Sequence, residues 1–328
     1  VFRPISRKYD VADHEYPKDL DMLASLIDGM NEGSDIGGAG AAGVRREDNG
    51  GSEAKNRNGS NLSTVLGIIE LCWGDVGLLL SMPRQGLGNS AIASVATEEQ
   101  LERYGGKWAA MAITEPEAGS DSAAIRTTAV LDGDEYVLNG EKIFVTSGER
   151  ADAVVVWATL DRAKGRAAIK SFIVERSNPG MKLDRLEHKL GIRASDTAAF
   201  ILDDCRVPKE ALLGSPEVDV RQGFGGAMQT FDNTRPLVAA MAVGVARASH
   251  DETRLRLAEA GVEVDYSRPA LSQSAAAARF LEMEADYEAS RLLTLQAAWM
   301  ADNGKANSLQ ASVAKVEAGG PCVDVFLG

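Results

Sequence analysis

The residues best suited to chemistry lie in one stretch, Trp108 to Gly148, where polar turns follow apolar runs. Met111-Ala112-Ile113 leads into Thr114-Glu115-Pro116, and Gly119-Ser120-Asp121 comes shortly after. Pro116 presets a turn, and Gly119 lets backbone N–H groups come close to whatever sits above it. Downstream, Asp132-Gly133 and Asn139-Gly140 read as hairpin-type turn pairs, which place Ile143-Phe144-Val145-Thr146 on a strand able to return beside the first. Two strand ends then present hydroxyls and free amides at one place. Such a place suits a large, planar, partly anionic ligand: an aromatic face to lie against, with hydroxyls and N–H groups for ring heteroatoms and phosphate oxygens.

The elements that must position these turns follow from apolar periodicity. Between Trp108 and Leu213 the period is that of strands, with compact runs at Ala153–Trp157, Ser171–Glu175 and Ala199–Leu202 and no helical pattern between them; an antiparallel barrel or sandwich is expected. Ser195 and Asp196 read equally as turn residues or as part of a site. Helical patterning precedes this region at Leu20 to Ile27, Leu62 to Met82 and Ala91 to Tyr104, with Thr97 as an N-cap before acidic residues. It returns after Gly223 in three stripes: Phe231, Val238, Met241 and Val245; then Leu271, Ala275, Ala278, Leu281, Ala285 and Leu292 on a helix begun by Pro269; then Leu309, Val313 and Val316, ending at Gly319-Gly320. Antiparallel helices are the expected packing.

Residues 32–61 are rich in Gly, Asn and charge and read as a mobile insertion. Within it Gly38 to Gly43 matches GxGxxG, but neither a buried strand before it nor an amphipathic helix after it supports a dinucleotide fingerprint. The chain has 328 residues, 45% of them hydrophobic, and a net charge of −13, which argues against general affinity for nucleic acid or an anionic membrane. Cys72, Cys205 and Cys322 are scattered and odd in number, suggesting neither a disulfide framework nor a metal cluster, and fitting a reducing cytoplasm. His14, His188 and His250 are isolated in the sequence and read as surface or satisfied core histidines, with no metal site. The apolar run Val65 to Met82 is interrupted by Glu70 and Asp75, so no membrane span is expected.

TEPEAGSD (Thr114 to Asp121) and NGEKIFVTS (Asn139 to Ser147) together resemble the flavin-binding core of the acyl-CoA dehydrogenases, in order and in spacing. KLGIRASDTAAFILDDCRVPKEALLG resembles that family's middle domain, and GGAMQTFDNTRPLVAAMAVGVA the helix that carries the CoA moiety. The resemblance implies an α+β fold in three parts: a helical N-terminal domain over 1–107, a β domain over 108–213 and a C-terminal antiparallel helix bundle over 214–328. It implies FAD as cofactor, α,β-dehydrogenation of an acyl-CoA thioester as the reaction, and an electron-transfer flavoprotein as acceptor. Met111, Ile113 and Thr114 would meet the isoalloxazine, Gly119 and Ser120 the pyrophosphate, and Thr146 the flavin edge, with Phe144 standing where the family usually has Trp. Ser120, Phe231, Asp232, Thr234 and Arg235 would serve the CoA substrate. Arg235 is also, on its own chemistry, a fixed cation able to pair with phosphate.

Two departures from the family pattern bear on assembly and catalysis. An RxxFG-type segment is expected after the CoA helix, but AEAGVEVDYSRP stands there; and Thr234 occupies one of the two positions from which the family supplies its catalytic Glu, so no catalytic residue is assigned. The resemblance is therefore compatible with a homotetrameric dehydrogenase, with a non-catalytic or half-catalytic subunit of an α2β2 heterotetramer, and with a related-fold flavin oxidase or hydroxylase.

Overall fold

The computed structural model describes residues 2–24, 58–83, 87–218 and 225–327. The GxGxxG at Gly38 to Gly43, most of the expected insertion and the end of the Leu20 to Ile27 pattern lie outside them. The chain packs as two compact units.

The first unit takes in residues 5–42 and 80–231 and is built on a seven-stranded sheet: β1 (Ala109–Ala112), β2 (Thr128–Asp132), β3 (Glu135–Thr146), β4 (Ala153–Thr159), β5 (Ile169–Glu175), β6 (Met181–Leu186) and β7 (Thr197–Pro208). The order is β1-β4-β2-β3-β7-β6, with β5 on the other edge of β4. Most pairings are antiparallel, as expected, whereas β1 and the first residue of β2 run parallel to β4. Every residue of β4 is buried, so its unbroken apolar run, without alternation, is that of a strand covered on both faces. β6, for which the sequence reading names no strand, pairs with β7.

Asp132-Gly133 does form the β2–β3 hairpin, with Gly133 at φ 64°. Asn139-Gly140 does not turn the chain. It lies inside β3, at a register shift between Leu138 and Gly140. The glycine is required by close approach, because a Cβ at Gly140 would sit 2.4 Å from Thr127 Oγ1 and 2.8 Å from Thr127 Cα. Two helices, α4 (Leu87–Val95) and α5 (Glu98–Tyr104), border the sheet; the Thr97 hydroxyl accepts from the Gln100 amide, and the Gln100 side chain accepts from the Thr97 amide. Asp196 is fully buried and structural: its carboxylate accepts from the Glu149 amide at 2.9 Å and faces Arg150, while its carbonyl accepts from the Ser147 amide.

The second unit takes in residues 1–4, 43–79 and 232–328. Its helices include α2 (Ser60–Gly74), most of α6 (Gly225–Glu259), α7 (Ala275–Asp302) and α8 (Ser308–Leu327); α1 (Phe2–Ala12) and α3 (Val76–Leu80) each have residues in both units. The helical run from Leu62 breaks at Asp75, whose carboxylate accepts from the Leu78 amide. Ser60 and Asn61, which composition groups with the insertion, already belong to α2. Their helix start is held by the buried carboxylate of Asp302, which accepts from the amides of Gly59, Asn61 and Leu62 at 2.9–3.1 Å.

The three predicted stripes are rotated from the faces that are buried. On α6 Leu237, Ala239, Ala240, Val243 and Ala246 are buried and Val238 is exposed; on α7 Ala277, Phe280, Met283, Tyr287 and Ala297 are buried and Leu292 is exposed; on α8 Ala311, Ala314 and Ala318 are buried and Leu309, Val313 and Val316 are exposed. On α8 alanine is the reason: small side chains let helix axes come close, so the alanine face packs and Leu309, Val313 and Val316 stay outside, whereas α6 and α7 also bury the large Leu237, Phe280, Met283 and Tyr287. Two boundaries also differ. Ser274, not Pro269, caps α7, its hydroxyl accepting from the Ala277 amide, and α8 continues through Gly319 and Gly320.

Candidate functional site

The two motifs meet in the sheet unit. The Ile143 amide of β3 donates to the Thr114 carbonyl at 3.0 Å, just past the end of β1. Thr114 is thereby set beside the segment carrying Phe144 and Thr146. The Pro116 turn is closed by reciprocal backbone hydrogen bonds between Glu115 and Ala118, each 3.1 Å. Met111, Thr114 and Thr146 are half-buried, Ile113 is buried, and Gly119 and Ser120 are exposed at the rim.

What fixes this junction is a buried ion pair that the sequence reading did not single out. Lys142 is wholly buried, and its Nζ donates to Glu115 Oε1 at 2.7 Å and to the Ile113 carbonyl at 3.1 Å. Glu115 also accepts from the Arg126 amide (2.6 Å), the Thr127 amide (3.0 Å) and the Thr127 hydroxyl (2.6 Å). Burial pushes the Lys142 ammonium down to about 8 against the pull of Glu115. Burial alone would raise the Glu115 carboxyl, but Lys142, Thr127 and the Arg126 amide together hold it below its ordinary value. The pair clamps β3 to the end of β1. The signal was present in the sequence as opposite charges, one in each motif.

Three features fit a ligand over this junction. Phe144 is 59% exposed and holds φ 57°, a conformation costing a non-glycine residue on the order of 1–3 kcal/mol. It sits at a second register shift in β3, between Lys142 and Val145, which turns an aromatic ring outward between the buried Ile143 and Val145. Gly119 meets nothing within 4 Å at its Cβ position and has no left-handed φ, so the fold itself does not require a glycine there. The open space above it, beside the exposed Ser120 hydroxyl, is room for an anionic group close to the backbone.

The family model for the acyl-CoA dehydrogenase middle domain matches residues 110–205, and that for the acyl-CoA dehydrogenase C-terminal domain matches residues 221–326. A short-chain-specific acyl-CoA dehydrogenase of Clostridium acetobutylicum is 36% identical over 275 residues, 81% of this chain and 70% of that protein. This chain belongs to the acyl-CoA dehydrogenase family. Its relatives are flavoprotein oxidoreductases acting on CH–CH bonds, and they include a subunit of the caffeyl-CoA reductase–Etf complex of Acetobacterium woodii, 36% identical over 77% of this chain and 66% of that one. Butyryl-CoA dehydrogenase of Megasphaera elsdenii superposes with a TM-score of 0.79 at 32% identity, covering 100% of this chain and 84% of that structure. The chain spans roughly two thirds of the length of these curated relatives.

The second predicted set falls on α6. Phe231 is half-buried against the core of the sheet unit, and Asp232, Thr234 and Arg235 belong to the helical unit. Thr234 is buried. Arg235 Nη1 donates to Asp232 Oδ1 at 2.5 Å, and Asp232 Oδ2 accepts from the Ser308 hydroxyl at 2.6 Å, so the guanidinium is oriented from within its own unit. No helix among the described residues is long and apolar enough to cross a membrane.

Proposed function

We propose that this chain is part of an FAD-dependent enzyme acting at the Cα–Cβ bond of a short acyl-CoA thioester and exchanging electrons with an electron-transfer flavoprotein. The observation that carries the reading is the junction of Thr114 with β3, clamped by Glu115 and Lys142 under an outward-turned Phe144. FAD would supply there the hydride acceptor that no side chain provides. Met111 and Ile113 would line its ring, Thr114 and Thr146 would offer hydroxyls to ring heteroatoms, and Gly119 and Ser120 would receive its pyrophosphate. Phe144 would shield one side of the ring from water, as an aromatic flank without an indole donor. Phe231, Asp232, Thr234 and Arg235 would bind the CoA moiety, with Ser120 also reaching the substrate and Arg235 meeting phosphate. The three-part division at 107 and 213 is our functional reading: helices before and after a flavin-holding β domain along the chain. The scattered and odd-numbered Cys72, Cys205 and Cys322 support work in a reducing cytoplasm.

A second reading has its own observation. AEAGVEVDYSRP lacks the Arg by which the family reaches a neighbouring subunit's flavin, which favours a half-catalytic subunit in an α2β2 complex. The exposed row Leu309, Val313 and Val316 on α8 supports assembly in either form, homotetramer or heterotetramer. The test is the visible spectrum of the purified protein with any native partner, followed by FAD titration of Thr114→Val, Ser120→Ala and Thr146→Val. Each variant is expected to weaken FAD by roughly 1–2 kcal/mol. A colourless protein that takes up no FAD would end the proposal. Native mass spectrometry then separates the two assemblies by subunit composition and flavin count.

A further inference from the structure

His14 and His188, far apart in the chain, come together in the sheet unit with their ring centroids 5.4 Å apart. Asp13 completes the group. The ligating atoms of Asp13, His14 and His188 all lie within 4.8 Å of one another. Asp13 and His14 follow the last residue of α1 with φ of 39° and 65°, a strained pair that aims two adjacent side chains at one point. His188 comes from the connection between β6 and β7, and its Nδ1 lies 2.9 Å from Asp13 Oδ2.

The cluster leaves polar atoms unsatisfied. Asp13 Oδ1 and both ring nitrogens of His14 are buried without a hydrogen-bond partner, although Oδ1 lies 3.6 Å from His14 Nε2. Each such atom carries a desolvation penalty that a bond to an electrophile would remove. Asp13 Oδ2 is already engaged, by His188 and by the Arg193 guanidinium at 3.2 Å.

We propose that Asp13, His14 and His188 bind one zinc-type divalent cation, which ties the end of α1 to the β6–β7 connection. The donor set selects the ion's class. Two imidazoles and a single carboxylate suit zinc, nickel or copper, whereas calcium and magnesium need a shell of oxygens. Arg193 and His188 hold Asp13 Oδ2, so the unpartnered Oδ1 is the carboxylate oxygen offered to the ion. Donors on a tetrahedral zinc sit ~3.3 Å apart, given bonds of about 2.0–2.1 Å, so the group must contract. His188, whose side chain is 84% exposed, is the member able to swing inward and leaves one coordination position to water.

The full chain, stripped with a chelator, would be titrated calorimetrically with zinc chloride and, separately, with calcium and magnesium chloride. The expected result is one zinc per chain, no saturable calcium or magnesium binding, and a higher melting temperature with zinc. His188→Ala and His14→Ala should each lose more zinc affinity than the roughly 10–100-fold that removal of an outer-shell partner costs. Because His188 is exposed, its variant retains the fold and decides the matter even where His14→Ala is unstable. Absence of stoichiometric zinc binding to the unaltered chain, unchanged affinity in a folded His188→Ala, or equal binding of calcium would each overturn the proposal.

Discussion

Replacing Lys142 with Met tests the clamp that joins the two motifs. Met keeps the length of the chain and removes the ammonium, so the Ile113 carbonyl loses its donor at 3.1 Å and Glu115 loses its counter-charge at 2.7 Å. Removing one partner of a buried ion pair costs about 3–5 kcal/mol. Glu115 keeps three donors, from the Arg126 amide and from the Thr127 amide and hydroxyl, which puts the expected loss at the lower end, about 3 kcal/mol. At roughly 2–4 °C per kcal/mol for a body of this size, the melting temperature should fall by about 6–12 °C. The assay is thermal and urea unfolding of the unaltered chain, Lys142→Met, Glu115→Gln and the double variant. The two single effects should be non-additive by about 1 kcal/mol or more, since the double variant removes both charges together. A single-variant loss under about 1 kcal/mol, or strict additivity, would refute the clamp.

Three further outcomes are expected. Gly140→Ala should destabilise by about 1–3 kcal/mol, since its Cβ would meet Thr127 main chain as well as the hydroxyl that serves Glu115, and chemical denaturation reads it directly. Because the folded state lowers the Glu115 carboxyl, its contribution is complete above the ordinary value of 4.5 and is lost as pH falls through the folded value; the melting-temperature gap between the unaltered chain and Glu115→Gln should narrow below pH 4.5, and a constant gap would contradict the pairing. Arg235→Ala should weaken acyl-CoA binding by about 1.5–3 kcal/mol while leaving the flavin spectrum unchanged; unaltered acyl-CoA affinity would confine Arg235 to pairing with Asp232.

Local chemistry was legible without coordinates. Thr97 before acidic residues specifies a helix start, Asp132-Gly133 specifies a hairpin through one left-handed glycine, and the compact apolar run Ala153–Trp157 specifies a strand. These features depend on neighbours in the chain, so sequence by itself determined them, along with the order of the motifs. Tertiary structure decided everything that depends on a distant partner. Asn139-Gly140 has turn composition, but the approach of Thr127 makes it a strand; Ser60 and Asn61 look like loop until Asp302 caps them; and which face of each helix is buried depends on what its neighbours present to it. Lys142 and Glu115 became a clamp, and His14 and His188 a pair, for the same reason. A charge or an imidazole carries no mark of its partner along the chain, and only the fold brings the two within reach of a hydrogen bond or a common ion.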